Sequence, residues 1–251
     1  SFHPRQCITR VLVVENKMGI RHDQIKTLIG EKENITIFEI GCADGRDTRT
    51  FLNTFGDNLK LYTFDPDPVN IKALSELGAT NCLGESNDDI VNDPRNIFHP
   101  YAMCDEDKTI TFNRSRDIGY PDKGEGVGRY SGSIHQAVDQ ASMYPGILFD
   151  QTVEAQGRSF DSFCKENSID HVDFIWMDTQ GAEREVLSGM KESFANIDWI
   201  YTEYYNQEMY KEQIYLDGII EMLSEHFDLI ATFPFLDQDG GDALFKNKRI
   251  P

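Results

Sequence analysis

A glycine-containing turn follows a predicted buried strand near the start of the chain. Residues 37–45 read Ile-Phe-Glu-Ile-Gly-Cys-Ala-Asp-Gly, and this apolar run before glycine predicts a strand that leads directly into a helix. Gly41 and Gly45 allow the main chain to turn tightly and to approach a ligand, and the start of the next helix offers free N–H groups. A second predicted strand ends in Asp65, twenty residues past Gly45. In nucleoside-binding α/β sheets an acid at about that offset accepts hydrogen bonds from ribose hydroxyls.

Two features separate this turn from a dinucleotide-binding fingerprint. The pattern G-x-G-x-x-G requires glycine where Ala43 stands, and Glu39 is a poor neighbour for a pyrophosphate. Glu39 suits a cationic amino-acid group instead, so Glu39 and Asp65 together indicate adenosine joined to a positively charged group, as in S-adenosylmethionine. The predicted cofactor contacts are Glu39, Gly41, Cys42, Ala43, Asp44, Gly45, Asp65, Pro66, Met103 and Asp178.

Two further acids end neighbouring predicted strands. Asp178 follows the run Asp173–Met177 and precedes a turn with glycine, and Glu203 ends the next strand. Since ligands of open α/β sheets bind at the carboxyl ends of the strands, we expect both carboxylates in the cleft. They would ligate a divalent ion, deprotonate a hydroxyl or hold the cofactor's ammonium, unless one only caps the following helix. Of these roles we favour ligation of Mg²⁺ or Mn²⁺ by Asp178 and Glu203, because an alcohol is a weak acid for an unassisted carboxylate.

Predicted strands and helices, which must position these residues, alternate along the chain. Short runs of β-branched and aromatic residues predict strands, and segments with helical spacing separate many of them. Such alternation is typical of a mostly parallel sheet with helices on both faces. The predicted strands are Arg10–Glu15, Ile35–Cys42, Leu61–Asp65, Thr109–Phe112, Val172–Asp178, Trp199–Tyr204, Asp228–Phe235 and Ala243–Lys246.

Three regions stand out from this alternation. The last two predicted strands flank Gly240 and Gly241 without a helix, which predicts a hairpin. Asn206–His226 has helical spacing and predicts the longest helix. Asn113–Gln151 is rich in Gly, Ser, Asp and Tyr and lacks periodicity, so we predict a long loop that serves as a candidate lid.

The amino-acid composition restricts the classes of molecule that the protein is expected to bind. The chain has 24 Lys and Arg against 43 Asp and Glu, a net charge of −19, which repels phosphate backbones and anionic lipid. We therefore expect a small-molecule or glycan partner, and neither nucleic acid nor a membrane. The five cysteines are odd in number and form no C-x-x-C pair, which indicates reduced thiols and a cytoplasmic location. We expect a single domain over residues 1–251, with an N-terminal extension over residues 1–34.

These motifs together resemble the FkbM family of S-adenosylmethionine-dependent methyltransferases over about residues 35–247. The resemblance is carried by Phe38–Gly45, Tyr62–Pro68, Ser159–Phe163 and, most specifically, Asp173–Gly189. It implies the class I, Rossmann-like fold with a seven-stranded sheet whose last strand is antiparallel, and methyl transfer to an oxygen of a sugar, polyketide or related molecule. The family pattern Asp-x-Glu-Gly-x-Glu matches at Asp178, Gly181 and Glu183, so Glu183 joins Asp178 and Glu203 as a candidate catalytic residue, whereas Gln180 replaces an acid.

Three alternatives share parts of this pattern. A nicotinamide-dependent oxidoreductase is disfavoured by Ala43, which stands in place of the middle glycine. An RNA 2′-O-methyltransferase has the same fold, but the net charge of −19 opposes an RNA backbone. A non-catalytic scaffold would keep the core pattern and bind no cofactor.

Overall fold

The computed structural model describes residues 12–13, 19–81, 84–117, 130–138, 146–236 and 239–251. Its strands are β1 (Leu12–Val13), β2 (Ile35–Ile40), β3 (Leu59–Phe64), β4 (Asn96–His99), β5 (Ala102–Cys104), β6 (Lys108–Asp117), β7 (Ile147–Ser159), β8 (Val172–Met177), β9 (Ile197–Tyr205), β10 (Phe227–Pro234) and β11 (Gly240–Asn247). Its helices are α1 (His22–Ile29), α2 (Arg46–Thr54), α3 (Pro68–Ser75), α4 (Asp88–Val91), α5 (Phe160–Glu166), α6 (Glu183–Ser188) and α7 (Leu216–Leu223), with a short 3₁₀ turn at Phe194–Asn196.

The main sheet has the strand order β1-β10-β11-β9-β8-β2-β3-β4. Strands β4, β3, β2, β8 and β9 are parallel to one another, and β11 runs antiparallel to both of its neighbours. The prediction of a mostly parallel sheet with an antiparallel last strand is thus confirmed, with the two-residue β1 added at the edge beside β10. The predicted hairpin is confirmed as the pair β10–β11.

Apolar residues cover both faces of this sheet. Neighbouring residues on a strand point to opposite faces, and Ile37 and Phe38 accordingly belong to different buried clusters. The same division separates Phe174 from Ile175 on β8, and all four side chains are fully buried. Two-sided burial explains why β2 and β8 read as nearly continuous apolar runs. These central strands are therefore rigid supports for the residues at their carboxyl ends.

A second, three-stranded sheet has the order β5-β7-β6. Strands β6 and β7 pair antiparallel in register from Lys108 opposite Gly157 to Asp117 opposite Ile147. The prediction of a loop from Asn113 to Gln151 is therefore wrong at both ends, which belong to β6 and β7. Cross-strand hydrogen bonds stabilise these strands although the sequence of this region shows no periodic spacing. Residues 118–129 and 139–145, the middle of the predicted lid, lie outside the described residues.

The predicted helix Asn206–His226 is correct only in its second half. Helix α7 begins at Leu216, and the amides of Tyr210 and Lys211 before it do not bond to the carbonyl four residues earlier. The Tyr210 amide donates to the Gln213 side chain and the Lys211 amide to the carbonyl of Gln136. Tyr210 is fully buried, so its place in the core overrides the helical spacing of this segment.

Two observations bear on the environment of the protein. Among the described residues, no helix is both long and apolar enough to cross a bilayer. Of the cysteines that the structure describes, Cys42, Cys104 and Cys164 are buried free thiols.

Candidate active site

The turn after β2 is held against the ends of both neighbouring strands. The amides of Gly41 and Cys42 donate to the Phe64 carbonyl at the end of β3, at 2.9 and 3.0 Å. On the other side, the Asp178 amide donates to the carbonyl of Ile40 at 2.9 Å. Gly41 has a φ of +89°, and a Cβ built on it would come within 1.8 Å of the Asp178 carbonyl oxygen. The left-handed backbone and this close approach both require glycine.

Asp65 organises the outer part of the same turn. Its Oδ2 accepts a hydrogen bond from the Ala43 amide at 2.9 Å, and its Oδ1 accepts from the Asp67 amide and the Asn70 side chain at 2.9 and 3.0 Å. Ala43 has a φ of +48°, a conformation that turns its amide towards the carboxylate. Burial raises the pKa of Asp65 to about 7. Asp65 therefore couples the β2 turn to the β3 end while lining the cleft, as its predicted role requires.

A cleft of about 540 Å³, part of it open to solvent, runs along these strand ends. Its lining includes an apolar wall of Phe64, Pro66, Tyr101 and Met103 together with the carboxylate of Asp178. The predicted residues that line this cleft are Gly41, Ala43, Asp65, Pro66, Met103 and Asp178. An adjoining polar hollow adds Cys42 and Asp44 to them.

Three predicted acids are not on the cleft wall. Glu39 lies beneath the turn, where it accepts a hydrogen bond from the Thr48 hydroxyl at 2.7 Å, and burial raises its pKa well above the usual range. Glu183 begins α6 and accepts from the Thr179 hydroxyl and the Gly181 amide, at 3.0 and 3.2 Å. These two carboxyls support the turns that follow β2 and β8. Glu203 lies one layer behind Asp178, and Gly45 forms the N-cap of α2.

Gln180 joins Asp178 and Glu203 into one hydrogen-bonded unit. Its Nε2 donates to Asp178 Oδ1 at 2.7 Å and to Glu203 Oε2 at 2.8 Å. Its Oε1 accepts from the Tyr210 hydroxyl at 2.7 Å, and the Tyr205 hydroxyl donates to Glu203 Oε1 at 2.9 Å. The sequence placed Asp178 and Glu203 correctly on neighbouring strands but contained no signal for the bridging role of Gln180.

This arrangement does not fit the predicted metal site. A cation between Asp178 and Glu203 would face the N–H groups of Gln180, which carry partial positive charge. On the other side of the amide, Gln180 Oε1 lies 2.7 Å from the Tyr210 hydroxyl, which is also 3.0 Å from the Ser131 carbonyl oxygen. In the described part of the chain, the group with metal-ligand spacing is elsewhere, near the opposite ends of the strands, and consists of His171, Asp173 and Asp198. Of the three roles predicted from the sequence, this arrangement therefore disfavours metal ligation and leaves proton transfer and binding of the cofactor's ammonium group open.

Tyr130, which the sequence did not single out, connects the segment after β6 to the β2 turn. Its hydroxyl donates to Asp44 Oδ2 at 2.7 Å, and its ring lies 4.8 Å below the Arg46 guanidinium. It lines both the cleft and the adjoining polar hollow. The tyrosines at and after the end of β9 pack in the core, since Tyr201, Tyr204, Tyr205 and Tyr210 are all buried.

The strand order, the glycine turn after β2 and the acid after β3 define a class I methyltransferase fold. A family model described as the methyltransferase FkbM domain matches residues 34–230. The chain therefore belongs to the FkbM methyltransferase family, as the sequence motifs predicted, and S-adenosylmethionine is the cofactor of this class.

Known relatives agree with this assignment. The chain is 34% identical over 233 residues to 2-O-methyltransferase NoeI of Sinorhizobium fredii (strain NBRC 101917 / NGR234), a match that covers 91% of this chain and 86% of the relative. The solved FkbM methyltransferase of Methylobacillus flagellatus KT superposes with a TM-score of 0.54 at 14% identity, over 90% of this chain and 48% of that one. The chain thus spans about half of that structure. A proposed rRNA methylase from Clostridium thermocellum gives a TM-score of 0.50 at 14% identity, over 94% and 98% of the two chains, and shares the fold.

Proposed function

We propose that the protein transfers a methyl group from S-adenosylmethionine to a hydroxyl oxygen of a sugar, a glycan or another small hydroxylated molecule. The observation that carries this proposal is the position of Asp178. Its carboxylate lines the same cleft as Gly41, Ala43 and Asp65, and its Oδ1 is held by Gln180. The relative named 2-O-methyltransferase supports an oxygen acceptor.

The cleft has the groups that the cofactor needs. Asp65 offers carboxylate oxygens to ribose hydroxyls, and the apolar wall of Phe64, Pro66 and Met103 suits the flat face of adenine. Asp44 provides negative charge for the cationic amino-acid end. When bound, the cofactor supplies an electrophilic methyl carbon on a positively charged sulfur.

The chain's part in the reaction is to align the acceptor and to remove one proton. No covalent intermediate is needed, so the absence of a nucleophile motif is expected. Asp178 is the carboxylate at the cleft wall, and it would accept the hydroxyl proton as the oxygen attacks. Glu203 and Gln180 lie behind it and hold it in place.

Charge favours an acceptor that lacks phosphate groups. The chain carries a net charge of −19, and the polar hollow beside the cleft adds Asp44 and Asp47. A polyanion would be repelled from such a surface, whereas a neutral sugar would find carboxylates that accept hydrogen bonds from its hydroxyls.

The test is to follow a labelled methyl group. The protein is incubated with methyl-labelled S-adenosylmethionine and, separately, with soluble oligosaccharides, hydroxylated small molecules and total RNA. We expect label in a methyl ether of a sugar or small molecule, and no label in the matched acceptor that lacks that one hydroxyl. Labelling of RNA with none on the other acceptors would overturn the proposal.

A further inference from the structure

Asp178 and Glu203 form a pair that is built to share a proton. One amide nitrogen of Gln180 donates to both, at 2.7 and 2.8 Å, so the two accepting oxygens lie close enough together to repel each other when both groups are ionised. A hydrogen bond between two carboxyl groups requires one of them to be protonated, because an ionised carboxylate only accepts. The geometry therefore favours a pair that holds one proton.

The groups that face this pair strengthen that preference. Acids approach it from three elements, namely Glu183 of α6, Asp242 of β11 and Asp47 of α2, and the phenols are Tyr205 and Tyr210. In the described part of the chain neither carboxyl group is ion-paired with a basic side chain. Burial, followed by the charge of Asp178, raises the pKa of Glu203 well above its usual range, and burial raises the pKa of Asp178.

We propose that the Asp178–Glu203 pair carries one proton in the free protein, releases it when the sulfonium cofactor binds, and regains it from the acceptor hydroxyl during methyl transfer. This inference rests on the proposed function. Asp178 lines the cofactor cleft, so a cation there stabilises the doubly ionised pair. The demethylated product is neutral and gives no such stabilisation.

The proton balance of the step follows from this exchange. The acceptor oxygen bonds to the methyl carbon, the carbon–sulfur bond breaks with its electrons remaining on sulfur, and the hydroxyl proton moves to the pair. One positive charge leaves the sulfur as one negative charge leaves the pair, so the net charge of the cleft does not change. Gln180 acts as a positioning residue, because its N–H groups donate to both carboxyls throughout.

Calorimetric titration of S-adenosylmethionine and of S-adenosylhomocysteine tests this proposal without any acceptor. Each ligand is titrated at about pH 7 in phosphate and in Tris, whose different heats of ionisation report the number of protons exchanged. The two ligands differ only in the methyl group and its charge, so their other contacts cancel in the comparison. We expect S-adenosylmethionine to release close to one proton more than its product, and the ratio of the two affinities to rise by up to about tenfold per pH unit.

Four variants identify the source of the proton. Glu203→Gln and Asp178→Asn should each abolish the difference in proton release between the two ligands, because the one remaining acid has no second carboxyl group with which to share a proton. Asp242→Asn removes a nearby acid that does not bond to Gln180 and should leave the difference in place. Gln180→Met removes both N–H donors and should move proton release to higher pH.

Equal proton release by the two ligands in the unmodified protein would overturn the proposal, as would a difference that persists in both Glu203→Gln and Asp178→Asn. Retained binding of S-adenosylhomocysteine shows that a variant is folded. Because no acceptor is present, a failed proton count leaves the hydroxyl assignment intact, and the labelled-methyl assay decides that assignment separately.

Discussion

The α-carbon of Gly41 lies directly against the carbonyl of Asp178, so a Cβ at Gly41 would come within 1.8 Å of that oxygen. This contact joins the two turns that carry site residues, namely the turn after β2 that contains Gly41 and the turn after β8 that contains Asp178. The amide of Asp178 in turn donates to the Ile40 carbonyl at 2.9 Å. The β2 turn, which lines the proposed cofactor site, and the candidate base Asp178 are therefore held at a fixed distance from each other.

Gly41→Ala should destabilise the protein and abolish cofactor binding, because the new methyl group meets backbone that cannot move without separating β2 from β8. Gly30→Ala is the matched control, since Gly30 also has positive φ but a Cβ added there would meet no atom within 4 Å. Backbone strain alone should cost about 1–3 kcal/mol at Gly30, and overpacking should add roughly 1–3 kcal/mol at Gly41. Urea unfolding and calorimetry measure both effects. Equal losses of stability, with cofactor binding intact in both variants, would contradict this account of Gly41.

Asp65→Ala should weaken S-adenosylmethionine and S-adenosylhomocysteine equally, because both ligands present the same ribose. Loss of hydrogen bonds to a charged acceptor is worth about 1.5–3 kcal/mol, or roughly a ten- to hundredfold rise in Kd. The control is Asp89→Asn, which alters an exposed ion pair with Arg49 away from the cleft. Unchanged affinity in Asp65→Ala would reject the ribose assignment.

Glu183→Gln should stabilise the protein at alkaline pH and leave catalysis intact. Burial raises the pKa of Glu183 to about 7, above the value of about 4.3 in an unfolded chain. The folded state therefore binds the proton more tightly, and the stability contributed by Glu183 is present at low pH and lost as pH rises through about 7. Glutamine keeps an acceptor for Thr179 and Gly181 without the buried charge.

Thermal unfolding of Glu183→Gln at about pH 5 and pH 8 measures this difference. Because the unfolded carboxyl already ionises near pH 4.3, part of the gain is present at pH 5, and we expect the gain to grow by roughly 2–3 kcal/mol at pH 8. Loss of turnover with normal cofactor binding would instead restore Glu183 as a catalytic residue.

Tyr130→Phe should speed cofactor dissociation, since it removes the 2.7 Å hydrogen bond from the Tyr130 hydroxyl to Asp44 in the polar hollow beside the cleft. A hydrogen bond to a charged group contributes about 1.5–3 kcal/mol, so the dissociation rate should rise by roughly tenfold or more. Stopped-flow displacement of bound S-adenosylhomocysteine provides the rate. Tyr215→Phe, at an exposed ring, is the control. Identical rates in the two variants would show that Tyr130 does not retain the cofactor.

The sequence predicted the strand ends of the site because their signals are local. The apolar run before Gly41 and the similar run before Asp178 are continuous, since both faces of β2 and β8 are buried. The hairpin of β10 and β11 was equally clear, because no helical spacing separates the two strands.

Side-chain direction and tertiary contacts were not predictable in the same way. Glu39 and Glu183 are near strand ends, but their carboxyls point into the supporting layer and bond to Thr48 and Thr179. Residues 206–215 have helical spacing but form a loop. Tyr210 in this loop is buried in the core and hydrogen-bonds to Gln180. Contacts of this kind join residues far apart in the chain and leave no periodic pattern.

The central claim is that Asp178 removes the proton of the acceptor hydroxyl, and the most direct test is steady-state kinetics of Asp178→Asn. The assay uses the acceptor that the labelled-methyl experiment identifies, and calorimetry gives the cofactor Kd in parallel. We predict that kcat falls by about 10²–10⁴-fold, as expected for loss of a general base, while the Kd for S-adenosylhomocysteine stays within about threefold. Full turnover by Asp178→Asn would contradict the account.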